Sequence, residues 1–282
     1  MKRPIPPAGK KHQVEGLLAT GCLHTVCEEA RCPNRGECYS RGTATFLIMG
    51  DVCTRNCRFC GVTSGAPGAV DPDEPRRVCD AVREMKLRYV VITSVTRDDL
   101  PDGGAGHFAA VVSLLKEEIP SVRVEILVPD FQGREESLRL VVNSSPDVFN
   151  HNIETVPRLY DRIRPAADYR RSLDVLASVH RMAPTLPVKS GLMVGLGERE
   201  DEVQEVMKDL RSSGCSIITI GQYLQPTRQQ ERVVEFVTPE QFERYTALGK
   251  ELGFAQVFAG CFVRSSYRAD ELFDEKQNGE IQ

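Results

Sequence analysis

The stretch Thr45-Phe-Leu-Ile-Met-Gly-Asp-Val-Cys53-Thr-Arg-Asn-Cys57-Arg-Phe-Cys60 decides how this chain is read. Residues 45–49 are apolar and short, which predicts a buried strand. Three cysteines follow in the spacing Cys-x-x-x-Cys-x-x-Cys, in the loop before the next helical pattern. Toward the C-terminus the alternation repeats. Residues 75–86 put Val78, Val82 and Met85 at helical spacing, and residues 89–93 are rich in β-branched side chains. Residues 107–118 carry Phe108, Val111, Val112 and Leu115 on one helical face. Further strands are expected at 122–128, 147–150, 188–194, 217–220 and 256–259, separated by helices at 134–142, 157–162, 172–182, 201–212 and 239–252. Strands alternating with helices of this length argue for parallel β/α units. About six such units after residue 43 predict an α/β fold, a partial (β/α)6 TIM-like barrel, with an open doubly wound sheet as the alternative. On a barrel, the loop after the first strand lies at the C-terminal face of the strands, where such folds carry their chemistry.

Toward the N-terminus the pattern changes. Residues 1–42 are rich in Pro, Gly, Cys and charge and read as an irregular extension, organised by something other than a hydrophobic core. The expected division is therefore an extension over 1–42, a barrel over 43–260 and a tail over 261–282, whose last dozen residues are polar and read as disordered. A net charge of -4 leaves no footprint for nucleic acid or an anionic membrane surface. The first ten residues are followed by no apolar run, so neither a signal peptide nor a membrane span is expected, and a cytoplasmic location follows. Of the 10 cysteines, all but Cys215 and Cys261 lie between Cys22 and Cys79. Without an export signal, that crowding argues for metal or catalytic chemistry rather than disulfides.

The triplet Cys53, Cys57 and Cys60 can wrap a four-iron cluster and leave one iron without a protein ligand, open to a cofactor with an amino group and a carboxylate. A zinc loop is the plain alternative, but zinc normally takes four ligands, and no second Cys-x-x-Cys pair appears. Upstream, Cys27-Glu-Glu-Ala-Arg-Cys32-Pro-Asn-Arg-Gly-Glu-Cys38 forms a second triplet. It suits a second cluster with an unusual fourth ligand, or a structural zinc knot completed by Cys22. Cys22, Cys79, Cys215 and Cys261 fit neither triplet and are expected to be buried free thiols acting as small apolar residues. His24 and His151 read as structural.

The first triplet, with an aromatic residue before its third cysteine, resembles the signature of the radical S-adenosylmethionine (SAM) superfamily. Leu23-His-Thr-Val-Cys-Glu-Glu-Ala-Arg-Cys-Pro-Asn upstream of it resembles the lipoyl synthase family. The likeness continues in Thr93-Ser-Val-Thr-Arg-Asp-Asp-Leu-Pro-Asp-Gly-Gly, His151-Asn-Ile-Glu-Thr-Val, Lys189-Ser-Gly-Leu-Met-Val-Gly-Leu-Gly-Glu, Gly221-Gln-Tyr-Leu-Gln-Pro-Thr and Arg264-Ser-Ser-Tyr.

That resemblance implies a radical SAM barrel and two 4Fe–4S clusters. Cys53, Cys57 and Cys60 would hold the cluster that reduces SAM to methionine and a 5′-deoxyadenosyl radical. Cys27, Cys32 and Cys38 would hold an auxiliary cluster consumed as the sulfur source, with Ser266 as its fourth ligand. Sulfur would enter carbons 6 and 8 of an octanoyl group on a lysine of a lipoyl carrier domain. Implied partners are octanoylated carriers (the acyltransferase subunit of 2-oxoacid dehydrogenases, the glycine cleavage H protein), a ferredoxin or flavodoxin reductant and an iron–sulfur carrier for cluster repair. For SAM, Thr93 and Ser94 end a predicted strand, Asn152 and Glu154 follow another, and Lys189 has a weaker claim. Asp102-Gly103-Gly104, before a helix, offers backbone groups to an anion. A biotin synthase-like enzyme is the competing sulfur-inserting reading. A ferredoxin-like or zinc-stabilised binding module without catalysis is the competing class.

Overall fold

The computed structural model describes residues 8–41, 43–266 and Ala269. The chain opens with α1 (Ala8–Thr20), β1 (His24–Thr25), α2 (Val26–Glu29) and α3 (Arg35–Ser40). β2 (Thr45–Ile48) then starts the main sheet, and β3 (Val52–Cys53) pairs in parallel with β4 (Thr63–Ser64) as a small ribbon. There follow α4 (Glu74–Glu84), β5 (Tyr89–Ser94), α5 (Ala105–Glu118), β6 (Arg123–Leu127), α6 (Glu135–Asn143) and β7 (Val148–Asn150). The chain continues through α7 (Tyr160–Ile163), α8 (Tyr169–Met182), β8 (Val188–Val194), α9 (Glu200–Ser212), β9 (Ile217–Gln222), α10 (Pro239–Glu251) and β10 (Gln256–Gly260).

The eight-stranded sheet runs β1-β2-β5-β6-β7-β8-β9-β10. From β2 to β10 every pairing is parallel and neighbours follow sequence order. A doubly wound sheet would reverse its order at a switch point. This one never does, so the partial barrel holds and the open-sheet alternative falls. Periodicity explains the helices. On α9, Val203, Val206, Met207 and Leu210 are all fully buried. Each such side chain contributes roughly 1.5–3 kcal/mol on burial, more than a terminal cap of about 1 kcal/mol. Caps still set the starts: the Asp168 carboxylate accepts the Arg171 amide at 2.7 Å ahead of α8, and Thr238 caps α10 before Pro239.

The extension corrects the reading of 1–42 as irregular. α1 buries Val14 and Leu18, which join Leu23, Cys27 and Tyr39 in the same apolar core as the barrel. β1 pairs antiparallel with β2 and forms one edge of the sheet, while β10 forms the other. Extension and tail therefore meet where the barrel is open. Among the four unassigned cysteines, Cys79 and Cys215 are buried as expected, but Cys261 is half-buried and Cys22 is exposed. Tyr267 and residues 270–282, including the polar end, lie outside the described residues.

Candidate active site

After β2 the chain turns sharply, with Met49 at φ 67° and Gly50 at φ 90°. The Glu74 carboxylate fixes this turn by accepting the Met49 amide at 2.9 Å, and it lies 2.6 Å from His107 Nε2. The β3–β4 ribbon closes the base of the cysteine loop, where the Gly65 amide donates to the Cys53 carbonyl at 2.9 Å. Cys53 Sγ accepts from the amides of Arg55 (3.4 Å) and Thr96 (3.3 Å). Between the cysteines, Arg55 reaches inward to Asp98 (2.6 and 2.9 Å) and Asp130 (2.6 and 3.1 Å). Burial alone would raise the Asp130 carboxyl, but the Arg55 guanidinium holds it well below the usual carboxylate range. One side chain thus ties the loops after β2, β5 and β6 together.

Two sulfurs of this loop, those of Cys57 and Cys60, are shielded. Burial pushes the Cys60 thiol up to about 12, and the neighbouring thiols and Glu154 push the same way. Burial also raises Cys57, against the opposing charge of Arg164. Such thiols stay protonated near neutrality, and a bound metal would displace the protons. Tetrahedral zinc needs sulfurs about 3.8 Å apart. Among the described residues, three ligand atoms lie within 4.8 Å of one another only at His24, Glu29 and Asp51. Within each triplet the thiols lie close enough to oppose one another's ionisation, and three soft donors fit a four-iron cluster with one open iron better than four-coordinate zinc.

The auxiliary triplet is built differently. Cys27 is buried on α2, and that burial pushes its thiol up to about 12, partly offset by the Thr45 backbone hydrogen bond and reinforced by Cys32 and Cys38. Burial carries Cys38 to about 11. Thr25 accepts the Glu28 amide at 3.3 Å, capping α2, and shares a 2.6 Å hydrogen bond with Tyr39 of α3. This segment abuts the first loop: a Cβ on Gly61, beside Cys60, would lie 3.2 Å from the Glu29 carbonyl oxygen. It also reaches the tail. Asn34, two residues after Cys32, donates to the Phe262 carbonyl at 2.8 Å. Ser266 is half-buried and hydrogen-bonded to none of the described residues, four positions beyond that contact.

The SAM candidates separate. Ser94 Oγ is buried without a partner among the described residues, unspent capacity at a strand's C-terminal end that suits a polar ligand. The Thr93 hydroxyl is spent on the Leu127 carbonyl at 2.9 Å. Glu154 stands at φ 67°, and burial raises its carboxyl against the pull of Arg164. Asn152 Oδ1 accepts from Ser265 at 3.1 Å. Lys189 sits at the start of β8, away from the C-terminal loops, with its ammonium on both Glu125 oxygens at 2.9 and 3.0 Å. Its charge is neutralised there, which removes the physical ground for a SAM contact. The Asp102-Gly103-Gly104 expectation is also corrected. The Asp102 carboxylate takes the Gly104 and Gly106 amides at 2.9 and 2.7 Å, so they are not offered to an anion.

Several site residues escaped the sequence reading: Arg55, Asp98, Asp130, Arg164, Asn34 and Asn150. Arg164 is buried, with Nη1 on the Asn152 and Ile153 carbonyls and on Tyr160 Oη and with Nε unpartnered among the described residues. His151, read as structural, donates its Nδ1–H to the Val128 carbonyl at 2.8 Å, and burial lowers its pKa to about 4.

A partial barrel with this cysteine loop after its first parallel strand defines a radical SAM protein, and residues 47–210 match the family model of the radical SAM superfamily. Solved structures share the fold at low identity. Streptococcus suis SuiB bound to S-adenosylmethionine aligns with a TM-score of 0.62 at 11% identity, over 84% of this chain and 57% of that one. Methylornithine synthase aligns at 0.57 and 12% identity, over 92% and 84%. Among curated relatives, lipoyl synthase of Caldanaerobacter subterraneus is 59% identical over 92% of this chain and 91% of its own. Those of Syntrophotalea carbinolica (56%; 95% and 87%) and Neisseria meningitidis (53%; 94% and 83%) follow. The chain belongs to the lipoyl synthase family. No helix among the described residues is long and apolar enough to cross a membrane.

Proposed function

We propose that this chain carries out the lipoyl synthase reaction, inserting two sulfur atoms at carbons 6 and 8 of an octanoyl group held on a lysine of a lipoyl carrier domain. When bound, SAM with a four-iron cluster supplies a 5′-deoxyadenosyl radical for hydrogen abstraction, and a second four-iron cluster supplies the sulfur. Cys53, Cys57 and Cys60 hold the first cluster, with Arg55 fixing their loop to the barrel. Glu154 and Arg164 present opposite charges beside Cys57, complementary to the amino and carboxylate groups of SAM. Ser94 and Asn152 add polar contacts. Cys27, Cys32 and Cys38 hold the second cluster with Ser266 as fourth ligand. Its harder oxygen, readily reprotonated, suits a ligand that must let go.

The supporting observation is the abutment of the two cysteine segments at Gly61 and Glu29, which keeps both clusters within reach of one acyl chain. The finer partners follow from the same reading: a ferredoxin or flavodoxin as electron donor, an iron–sulfur carrier for repair, acyltransferase or H-protein carriers and a reducing cytoplasmic setting. The test incubates cluster-loaded protein anaerobically with reductant, SAM and an octanoyl-lysyl peptide. The expected product is the peptide carrying two added sulfurs. Unmodified peptide, with dethiobiotin thiolated instead, would favour the biotin synthase-like reading. A Ser266→Cys variant should keep the auxiliary cluster and slow sulfur transfer; unchanged turnover would sink the leaving-ligand role.

A further inference from the structure

The two neighbouring serines of the tail have different surroundings. After β10 the chain turns, with the Val263 amide on the Gly260 carbonyl at 3.1 Å, and crosses the barrel mouth. It passes over Gly221 of β9, where a Cβ would come to 2.2 Å from the Val263 carbonyl oxygen. Only glycine leaves room for that backbone. Ser265 then enters the barrel. Its hydroxyl accepts from Asn150 Nδ2 at 2.7 Å and donates to Asn152 Oδ1 at 3.1 Å.

The orientation of Asn150 is fixed from below. Its Nδ2 also donates to Glu125 Oε1 at 3.0 Å, while Glu125 accepts from Lys189 and, at 2.7 Å, from Tyr89. A flipped amide would set the Asn150 carbonyl against the Glu125 carboxylate, so the second N–H must face Ser265. The Ser265 hydroxyl therefore both donates and accepts, whereas Ser266 makes no hydrogen bond to the described residues.

We propose that Ser265, seated between Asn150 and Asn152, is the positioning residue of the tail: it straps residues 262–266 across the barrel mouth and so presents Ser266 to the auxiliary triplet. This rests on the reading of Ser266 as that cluster's ligand. The buried Glu125–Lys189 pair is the foundation of the seat, and Asn34 pins the other end of the strap beside Cys32.

The test uses the cluster-loaded enzyme and two readouts besides turnover: hydrogen exchange of the tail amides, and the rate at which a chelator strips auxiliary iron. Ser265→Ala should speed both by about tenfold, the effect of losing one net hydrogen bond. 5′-Deoxyadenosine formation should change less than iron loss, since on the SAM side only the Asn152 partner is removed. The yield of thiolated peptide per deoxyadenosine should fall. Ser265→Thr keeps the hydroxyl and should restore both rates. Gly221→Ala displaces the strap from beneath and should reproduce the alanine phenotype. Wild-type exchange and iron loss in Ser265→Ala, or no rescue by threonine, would overturn the proposal. Ser266→Ala separates the two ideas. If it leaves iron loss unchanged, the ligand reading fails, while the seat is still judged by exchange at 262–265.

Discussion

The two cysteine triplets differ in how far the chain must reach to build them. Cys53, Cys57 and Cys60 lie in one loop whose partners, Thr96, Asp98 and Asp130, follow within the first strands of the barrel. Folding those strands fixes the base of that loop, and Glu154 and Arg164 join it from later in the same barrel. Cys27 and Cys38 lie on short helices outside the barrel and Cys32 in the link between them, and their connection to the tail spans 228 residues, from Asn34 to Phe262. That site closes only when the barrel's two open edges meet. The first region is a fixture of the scaffold, whereas the second is an assembly that can be opened, which suits a cluster that must be given up and replaced.

Removing one proposed ligand from each side should separate the two regions most clearly. Cys57→Ala should abolish SAM cleavage, a loss of about a thousandfold or more in 5′-deoxyadenosine, because nothing else supplies the radical. Cys32→Ala should leave deoxyadenosine formation within an order of magnitude and lose thiolated product. Iron counts should fall by about half in either variant. Equal loss of deoxyadenosine in both would erase the distinction.

Arg55→Met comes next. It leaves Asp130 buried with weaker compensation, since the Arg55 and Asp130 side chains are 5% and 0% exposed. Breaking such a pair costs about 3–5 kcal/mol, and the lower end applies because Arg171 remains 3.3 Å from Asp130. Chemical denaturation should show that loss together with poor occupancy of the first cluster. An unchanged midpoint would mean the clamp is dispensable.

His151 gives a smaller, pH-dependent effect. Its native pKa of about 4 lies below the ordinary 6.5, lowered by burial and by the facing charge of Arg164, with Asp130 opposing and Arg55 adding. Between those values the unfolded chain binds a proton the native chain refuses, so stability falls as pH drops through the window. The share owed to His151 is about 2 kcal/mol by pH 5. Denaturation of wild type and His151→Gln at pH 7 and pH 5 should show a flatter dependence in the variant. The smallest effect sharpens what the triplets share. With Cys27 and Cys60 near 12 and Cys38 near 11, loading iron should release about one proton per bound thiol, measurable in weak buffer.

Much of the barrel was legible because its strands are apolar runs and its helices repeat at 3.6 residues. Residues 188–194 match β8 end to end. α1 escaped because only Val14 and Leu18 anchor it, too few to stand out among Lys10, Lys11 and His12. Both cysteine triplets were visible as spacings. Their supports were not, because Arg55–Asp130 and Asn34–Phe262 join residues with no local pattern. One long-range pair did leave a trace: Glu125 and Lys189 each interrupt an apolar strand, which suggests mutual neutralisation. Ser265 left none, since its role depends on a seat formed only when β7 and the tail come together.

On the proposed function, one cluster is a fixture and the other a reagent. Anaerobic single turnover with SAM and octanoyl-lysyl peptide, following protein-bound iron and thiolated product together, tests it most directly. Product should appear as the cluster proposed on Cys27, Cys32 and Cys38 loses its iron, while the one proposed on Cys53, Cys57 and Cys60 persists. Full thiolation with both clusters intact and no added sulfur source would contradict it.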